Sequence, residues 1–376
     1  MKTWKAAALA DLHCGCPRLD PFHFRDTIEK YVITRILKGD LSHVFIAGDF
    51  FDLSITMNSS ASMCAMSVIS MLKESCYRTG AKLRILRGTY THDRNQPMHF
   101  LSTSPEFNLC VALHDSLSLE YDEDTKMNFL YIPDNLKFSD IYEEVGNLLK
   151  SHGLDKVDVV IHHGYFKHML PPGIPEPHGT LDYEEFRKFY SGCVLNGHVH
   201  TSSIWNNVLS IGSFDRFVYG EEEPKGFYIV SRDDNLYKYE FIENKDANPF
   251  WTIRIDRFLK DSGSAIEYIK EDWIPRLKIA VNNGLTPHVR LLSDDLPTIY
   301  SCREFILKHA PTTIINHGIS TKQEQVIENI KVDLEELPKI TPDNLESLLM
   351  SIIKERYPSI DENSVHSVIE GLRKKG

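Results

Sequence analysis

The sequence lacks any uninterrupted run of about 18 apolar residues, the length that a helix needs to cross a membrane, so we expect no membrane span. Cysteine is also scarce: there are 7 in 376 residues, an odd number without paired spacing. That usage excludes a disulfide framework and favours reduced thiols in the cytoplasm, or the host cytoplasm for a viral protein. The apolar stretch near the N-terminus, residues 6–10, is too short to predict a secretory signal.

Positive charge is not in excess, because 42 Lys and Arg stand against 53 Asp and Glu, a net charge of −11. The balance excludes a chain coated with nucleic-acid-binding charge but leaves room for a local basic groove. We find no internal repeat and no low-complexity segment. A composition of 42% hydrophobic and 25% charged residues is typical of globular proteins, and the length predicts about two domains.

The first 200 residues alternate between short apolar runs and amphipathic helical stretches, the pattern of an α/β fold. Helices are predicted over 20–39 and 57–79, and residues 117–121 and 129–132 are typical of a hairpin. The remaining strands of this part are predicted at 4–9, 43–47, 83–86, 111–113 and 157–161.

The pattern changes after residue 200, where strands are predicted at 208–211, 226–230 and 236–242. Asn248-Pro249 indicates a boundary, and beyond it strands alternate with helices in a small α+β unit, with strands at 251–255, 288–292 and 312–315 and helices at 265–281 and 301–308. A linker-like stretch then precedes amphipathic helices at 343–356 and 362–374. We therefore divide the chain into residues 1–248, 249–333 and 334–376.

Five polar clusters each follow an apolar stretch that is typical of a strand. Such positions converge at the carboxyl edge of a doubly wound sheet, where ligands bind. Aspartate and histidine together suit borderline divalent ions such as Mn, Fe or Zn, and in Asp-x-His both side chains point to the same side of an extended segment. The clusters are Asp11-Leu12-His13, Gly48-Asp49-Phe50-Phe51-Asp52, Gly88-Thr89-Tyr90-Thr91-His92-Asp93, His162-His163-Gly164 and Gly197-His198-Val199-His200.

The order of these motifs resembles that of the calcineurin-like metallophosphoesterase superfamily, and within it the SbcD-type DNA-repair nucleases and their phage counterparts. The motifs cover residues 11–200. The resemblance implies an α/β fold: a metallophosphoesterase β-sandwich flanked by helices, a small α+β capping domain and C-terminal helices. It also implies two divalent metal ions, Mn first, with Mg, Fe or Zn as alternatives.

The resemblance assigns roles to particular residues of this sequence. Asp49 bridges the two metals, His92 acts on the leaving group, and Asp52 and Asp93 orient the neighbouring side chains. One metal is assigned to Asp11, His13, Asp49 and His200, and the other to Asp49, Thr91, His162 and His198.

One motif departs from the family pattern. The family has Gly-Asn-His-Asp or Gly-Asn-His-Glu, whereas this chain has two extra residues and Thr91 in the place of the metal-binding asparagine. A hydroxyl is a poorer ligand than an amide oxygen, so water, Asn95 or a backbone carbonyl are alternatives for completing that site. The sequence also leaves open whether His162 or His163 is the ligand.

The function implied is that of a metal-dependent DNA exonuclease/endonuclease, the nuclease subunit of an SbcCD-like complex. Its expected partners are DNA, a second copy of the chain, and the coiled coil of an SMC-like ABC ATPase. Arg254, Arg257 and Lys260 of the capping unit are expected to contact DNA phosphates. The ATPase is expected to bind an apolar stripe at helical spacing, formed by Leu345, Leu348, Leu349, Ile352 and Ile353.

Blander alternatives remain for each assignment. The basic residues of the capping unit are equally typical of a solvated helix face. The C-terminal stripe is equally typical of a helix that packs on the chain's own domains. For the whole protein, the alternatives are a phosphodiesterase or phosphatase acting on a small nucleotide, and a scaffold of the same fold with a weakened metal site.

Overall fold

The computed structural model describes residues 4–52, 55, 58–94, 110–134, 140–170, 173–234, 236–258 and 260–318. They belong to one compact unit. The architecture is mixed α/β, with three sheets and helices between their strands. Within the described residues, no helix is both long and apolar enough to cross a membrane.

The first sheet has six strands in the order β12-β11-β1-β2-β3-β4. Four neighbouring strands, β1 to β4, are parallel, β11 pairs antiparallel with β1, and β12 pairs antiparallel with β11. Buried side chains cover both faces, which explains the nearly continuous apolar runs. The strands are β1 (Trp4–Leu9), β2 (His43–Ala47), β3 (Lys82–Leu86), β4 (Val111–His114), β11 (Gly226–Asp233) and β12 (Leu236–Glu243).

The second sheet also has six strands, in the order β5-β6-β7-β8-β10-β9. Its four central strands are parallel and its two edge strands antiparallel. The strands are β5 (Ser118–Asp122), β6 (Met127–Ile132), β7 (Val157–His163), β8 (Tyr190–Gly197), β9 (Ser203–Trp205) and β10 (Val208–Ser210).

The two six-stranded sheets share one cluster of buried side chains. Trp4 and Phe45 of the first sheet lie within ring-contact distance of Phe129 of the second, with centroids 6.3 and 5.6 Å away. Small residues of β1, Ala6 and Ala8, also lie in this cluster. The shared core fixes the strand ends of both sheets relative to each other.

Local sequence signals explain the helix ends. Asp20, Ser59 and Asp140 each accept a hydrogen bond from a backbone N–H of the following first turn. Gly80, with a φ of +76°, ends α3 in the left-handed conformation that glycine adopts without strain. The helices are α1 (Pro21–Thr27), which continues through a π-helical Ile28–Ile33 into α2 (Thr34–Ile36), then α3 (Ser60–Thr79), α4 (Ile141–Ser151) and α5 (Tyr183–Phe186).

A third sheet of three parallel strands follows, made of β13 (Phe250–Arg254), β14 (His288–Leu292) and β15 (Ile314–Gly318). It packs on α6 (Ser262–Tyr268), π-helical Ile269–Trp273, α7 (Ile274–Asn282) and α8 (Leu296–His309) around its own core. Tyr219 joins this part to the rest: its ring lies 5.5 Å from that of Phe250, and its hydroxyl accepts a hydrogen bond from Asn316. The domain boundary predicted at residues 248/249 directly precedes this sheet and stays a prediction.

The predicted α/β class is confirmed, and the strands at 4–9, 43–47 and 288–292 have the predicted bounds. The helix at Ile141–Ser151 was not predicted, and the strand expected before the Gly197 cluster is Tyr190–Gly197. The predicted strand at 157–161 is two residues longer and ends at His163, which bears on the functional site below. The predicted linker and helices at 343–356 and 362–374 lie outside the described residues.

Candidate metal centre

Aspartate and histidine side chains converge where four strands end. Asp11 and His13 follow β1, Asp49 follows β2, His163 ends β7, and His198 and His200 follow β8. The loops are joined by backbone hydrogen bonds: Asp11 N–H donates to Gly48 O and His13 N–H to Asp49 O, at 3.1 and 3.0 Å. Strands from both six-stranded sheets therefore build one centre.

The first group consists of Asp11, His13 and His200, whose candidate ligand atoms lie within 4.8 Å of one another. The Nε2 atoms of His13 and His200 are 3.1 Å apart. Their other ring nitrogens face carboxylates, because His13 Nδ1 lies 3.3 Å from Asp52 and His200 Nδ1 lies 2.5 Å from Glu221. With the His200 Nδ1 proton held by Glu221, the Nε2 lone pair of His200 points at His13 Nε2, an arrangement that a shared cation would stabilise.

The second group consists of Asp49, His163 and His198, again within 4.8 Å. His163 donates from Nδ1 to the carbonyl of Ala47 at 2.7 Å, which turns its Nε2 toward Asp49 Oδ2, 3.4 Å away. The same Oδ2 lies 4.0 Å from His13 Nε2 of the first group. Asp49 thus stands between the two groups, where the sequence placed a bridging carboxylate.

The pKa shifts at the centre follow from the pairing of Asp49 with His163. Burial alone would raise the pKa of Asp49, but the neighbouring His163 holds it well below its usual range. Burial opposes protonation of His163, yet Asp49 raises the pKa of this imidazole to about 10. Asp49 therefore stays ionised, whereas burial raises the pKa of Asp11. The donor set of carboxylate oxygen and imidazole nitrogen fits a borderline divalent ion.

The structure places His163, not the predicted His162, in the second group. Successive strand residues point to opposite faces, so only one of the two histidines can face Asp49. His162 turns the other way, with Nδ1 lying 2.5 Å from the side-chain oxygen of Asn196. Burial lowers the pKa of His162 to about 4, so its ring is neutral.

The threonine next to the centre is Thr89, not the predicted Thr91. Thr89 donates to Asp49 Oδ1 from both its backbone N–H and its hydroxyl, at 2.6 and 2.7 Å. Thr91 is exposed to solvent. The prediction of Thr91 assumed that the two extra residues of the motif precede it. In the structure they follow Thr89, in a π-helical turn, Tyr90–Arg94. The alternative ligand Asn95 lies outside the described residues.

His92 and Asp52 lie at the side of the first group. The rings of His92 and His13 have centroids 4.6 Å apart, and His92 Nδ1 donates to the carbonyl of Asp52. His92 is a quarter exposed, so its Nε2 edge can meet a ligand. Candidate ligand atoms of His13, Asp52 and His92 also lie within 4.8 Å of one another, so these three residues could hold an ion.

Asp93 is buried and holds the backbone around Asp49. Its carboxylate accepts hydrogen bonds from the N–H groups of Phe51 and Gly88, at 3.1 and 2.7 Å. Burial raises the pKa of Asp93 to about 6. Its position is that of a support for the loops after β2 and β3, and its role in orienting ligand side chains or His92 stays a prediction.

Glu221 and Lys225 are site residues that sequence reasoning missed. Glu221 accepts from His200 Nδ1 with one oxygen and from the Phe217 N–H with the other, at 2.5 and 2.8 Å. Lys225 is buried and donates to the carbonyl of His200 at 2.9 Å. No spacing rule links Glu221 to a histidine 21 residues earlier. Thr89, by contrast, directly follows Gly88 just after β3, a position from which it could have been predicted.

The backbone of the centre is strained and closely packed. Asp11, His13, Asp49 and His198 all have positive φ, between +45° and +87°, which is rare for residues other than glycine and clusters at functional sites. Gly88 allows the close approach of the loops, since a Cβ there would lie 2.1 Å from Asp49 Oδ1. Holding these side chains together therefore costs conformational free energy.

The residues predicted to contact DNA lie apart, in the part of the chain that carries the third sheet. Arg254 and Lys260 are exposed, and Arg254 lies 3.8 Å from Asp256. The Arg257 guanidinium lies over the rings of Phe258 and Tyr268, at 4.8 and 4.3 Å from their centroids. Arg257 thus has a packing role, and DNA contact by these residues stays a prediction.

Comparison with known proteins adds little to this geometry. No family model matches the chain, and no curated protein matches it. Several solved structures match, among them a crystal structure similar over 64% of this chain and 99% of its own, with a TM-score of 0.39 and 11% sequence identity. A likeness of that degree supports no argument about fold or function.

Proposed function

We propose that this chain is a metal-dependent phosphodiester hydrolase of the calcineurin-like metallophosphoesterase type. More specifically, we propose a DNA exonuclease/endonuclease that acts as the nuclease subunit of an SbcCD-like complex. The observation that carries the proposal is the paired arrangement of Asp11, His13 and His200 with Asp49, His163 and His198. The shared core of the two six-stranded sheets supports the sandwich architecture that the proposal requires.

The two groups would hold two divalent ions, with Mn as the first choice. Such ions neutralise the charge of a phosphodiester and lower the pKa of a bound water so that it can attack. Asp49 would serve both positions because its Oδ2 lies within 4.0 Å of imidazole nitrogens from both groups. Thr89 holds the other oxygen of Asp49 in place.

The remaining residues supply orientation and a proton. His92 donates from Nδ1 to a backbone carbonyl, so a proton on Nε2 can pass to the leaving oxygen of a bound ester. Glu221 orients His200 by accepting from its Nδ1, and the Asp52 carboxylate lies 3.3 Å from His13 Nδ1. The ring of Phe217 lies 4.8 Å from that of His13 and forms an apolar wall beside the first group.

The experiment is a cleavage assay on protein stripped of metal and then supplied with Mn, Mg or no metal. Linear double-stranded DNA, single-stranded DNA and a chromogenic phosphodiester are the substrates, and Asp49→Asn is the inactive control. We expect Mn-dependent cleavage of DNA by the wild type only. Cleavage of the small ester without DNA cleavage would favour the small-nucleotide alternative, and no cleavage of any substrate would favour the scaffold alternative.

The scaffold alternative rested on Thr91 as a substituted ligand. Thr91 is exposed, and Thr89 is the residue that contacts Asp49, so the observation behind this alternative no longer supports it. Dimerisation and binding of an SMC-like ATPase through the C-terminal stripe remain part of the proposal.

A further inference from the structure

A pocket opens next to the second group of the centre. His163 and His198 line one side, and Ile132, Pro133 and Leu181 contribute apolar walls. Its volume is about 160 Å³, close to the cavity of about 150 Å³ that accommodates a single benzene ring. The pocket therefore matches one aromatic ring in size and lies directly beside the residues that would hold a metal.

His162 gives this apolar pocket a directional polar group. The side-chain nitrogen of Asn196 donates to the carbonyls of Gly164 and Gly197, at 3.1 and 2.9 Å, so its oxygen faces His162 and accepts from Nδ1. Nδ1 of His162 thus carries a proton, and Nε2 is the ring nitrogen that remains for a ligand.

The Nε2 edge of His162 lies against Gly164, which also lines the pocket. A Cβ on Gly164 would lie 3.1 Å from that nitrogen. The absence of a side chain there leaves the edge of the imidazole uncovered, so it can accept a hydrogen bond from a ligand in the pocket.

We propose that this pocket binds the base of the nucleotide attached to the phosphodiester being cleaved, with a base N–H donating to His162 Nε2. The inference rests on the proposed phosphodiesterase function and assigns it a base subsite. A nucleobase has the two properties that the pocket requires, a flat ring and an N–H donor at its edge. The ring of Tyr165, which lies 4.4 Å from that of His198 and lines the same pocket, offers a stacking surface between base and centre.

The test uses two esters with the same leaving group, thymidine 5′-(p-nitrophenyl phosphate) and methyl p-nitrophenyl phosphate. Only the first carries a base. We expect wild-type protein to prefer the thymidine ester in kcat/KM. In His162→Asn, the amide can replace Nδ1 in the hydrogen bond to Asn196 but cannot replace Nε2. The preference should therefore fall by about tenfold through a higher KM, because one hydrogen bond to the base is lost. In His162→Gln, whose amide reaches the position of Nε2, part of the preference should return.

A binding measurement separates this inference from the proposed function. Thymidine 5′-monophosphate and 2-deoxyribose 5-phosphate are titrated into Mn-loaded wild type and His162→Asn by calorimetry. Tighter binding of the base-bearing ligand by wild type, reduced in the variant, supports the subsite even if neither ester is hydrolysed, in which case only the proposed function fails. Equal binding of the two ligands, or an unchanged preference in His162→Asn, overturns the subsite.

Discussion

Two adjacent histidines, His162 and His163, have different environments and therefore different chemistry. His163 is held by Ala47 O and directed at Asp49, whereas His162 is held by Asn196 and faces a pocket. The difference follows from the alternation of side chains along β7. A single residue of register decides which imidazole can bind a metal.

We predict that His163→Asn loses metal while His162→Asn keeps it. Of these two histidines, only His163 belongs to a group of residues that could hold a metal ion. The measurement is metal content per chain after dialysis against Mn, by atomic emission. Equal depletion in both variants would contradict the assignment of His163.

His92→Asn should lower metal-dependent cleavage by about a hundredfold or more, the contribution typical of a general acid. Its metal content should stay close to that of the wild type, since His92 is placed at the side of the first group. Cleavage rate and metal content are measured on the same preparation. Loss of metal in this variant would instead make His92 a ligand, as its proximity to His13 and Asp52 allows.

At the scale of elements, the turn after β3 determines which threonine meets the centre. The strand ends at Leu86, and the turn brings Thr89 onto Asp49 before the chain enters the π-helical segment that carries His92. Asp93 then closes the turn by accepting from Gly88 N–H. The two extra residues of the motif are accommodated without moving the contact to Asp49.

Thr89→Val and Thr91→Val form a matched pair for this turn. Loss of the Thr89 hydroxyl removes a hydrogen bond to Asp49, and changes of that kind weaken metal binding by about ten- to a hundredfold. Thr91→Val should leave the Mn titration of activity as in the wild type, because Thr91 is exposed. A larger effect from Thr91 than from Thr89 would refute the placement.

The segment after β10 contains a buried carboxyl with an incomplete set of partners. Asp215 Oδ1 accepts from the Arg216 N–H, while Oδ2 has no hydrogen-bond partner among the described residues. Burial raises the pKa of Asp215 from 3.8 to about 7. Because the folded-state pKa is the higher one, the stability linked to this group is complete below about pH 4 and is lost as pH rises through 7.

Asp215→Asn should remove that dependence. The free energy of unfolding of the variant, relative to the wild type, should rise between pH 4 and pH 8 by a few kcal/mol, on the order of 2–4. Urea unfolding with a chelator present, at several pH values, measures the difference and cancels other titrating groups. A difference that does not change with pH would mean that Asp215 ionises normally in the folded protein.

At the scale of the whole molecule, the centre depends on residues from 11 to 221 of the sequence. Two sheets that share a core bring the ends of β1, β2, β7 and β8 to one place. The described residues belong to a single compact unit, residues 1–319. We therefore expect the centre to form without the C-terminal 57 residues.

A chain ending at residue 319 should keep its thermal unfolding transition and its metal-dependent cleavage, and should lose co-purification with an SMC-like ATPase. In the full-length chain, Leu349→Asp changes the apolar stripe, whereas Ser351→Asp lies on the opposite side of the predicted helix and serves as control. Only the first should reduce ATPase binding. Undiminished binding by the truncated chain would place the partner contact elsewhere.

The sequence by itself determined the α/β class, most strands of the first sheet and the positions of the polar clusters. These are local properties: apolar runs mark buried strands, and glycines that follow strands precede Asp49 and Thr89. It also identified Asp11, His13, Asp49, His198 and His200, which the structure brings together.

Only the tertiary structure decided between His162 and His163, replaced Thr91 by Thr89, and added Glu221. The choice of His163 depends on which face of β7 meets the first sheet. The position of Thr89 depends on the path of a turn, and that of Glu221 on a contact with a histidine 21 residues earlier. Local sequence patterns carry no information about such contacts, because packing between distant segments fixes side-chain direction. The long-range hydrogen bonds of Asn196, Ala47 and Glu221 therefore determine which nitrogen of each histidine is available.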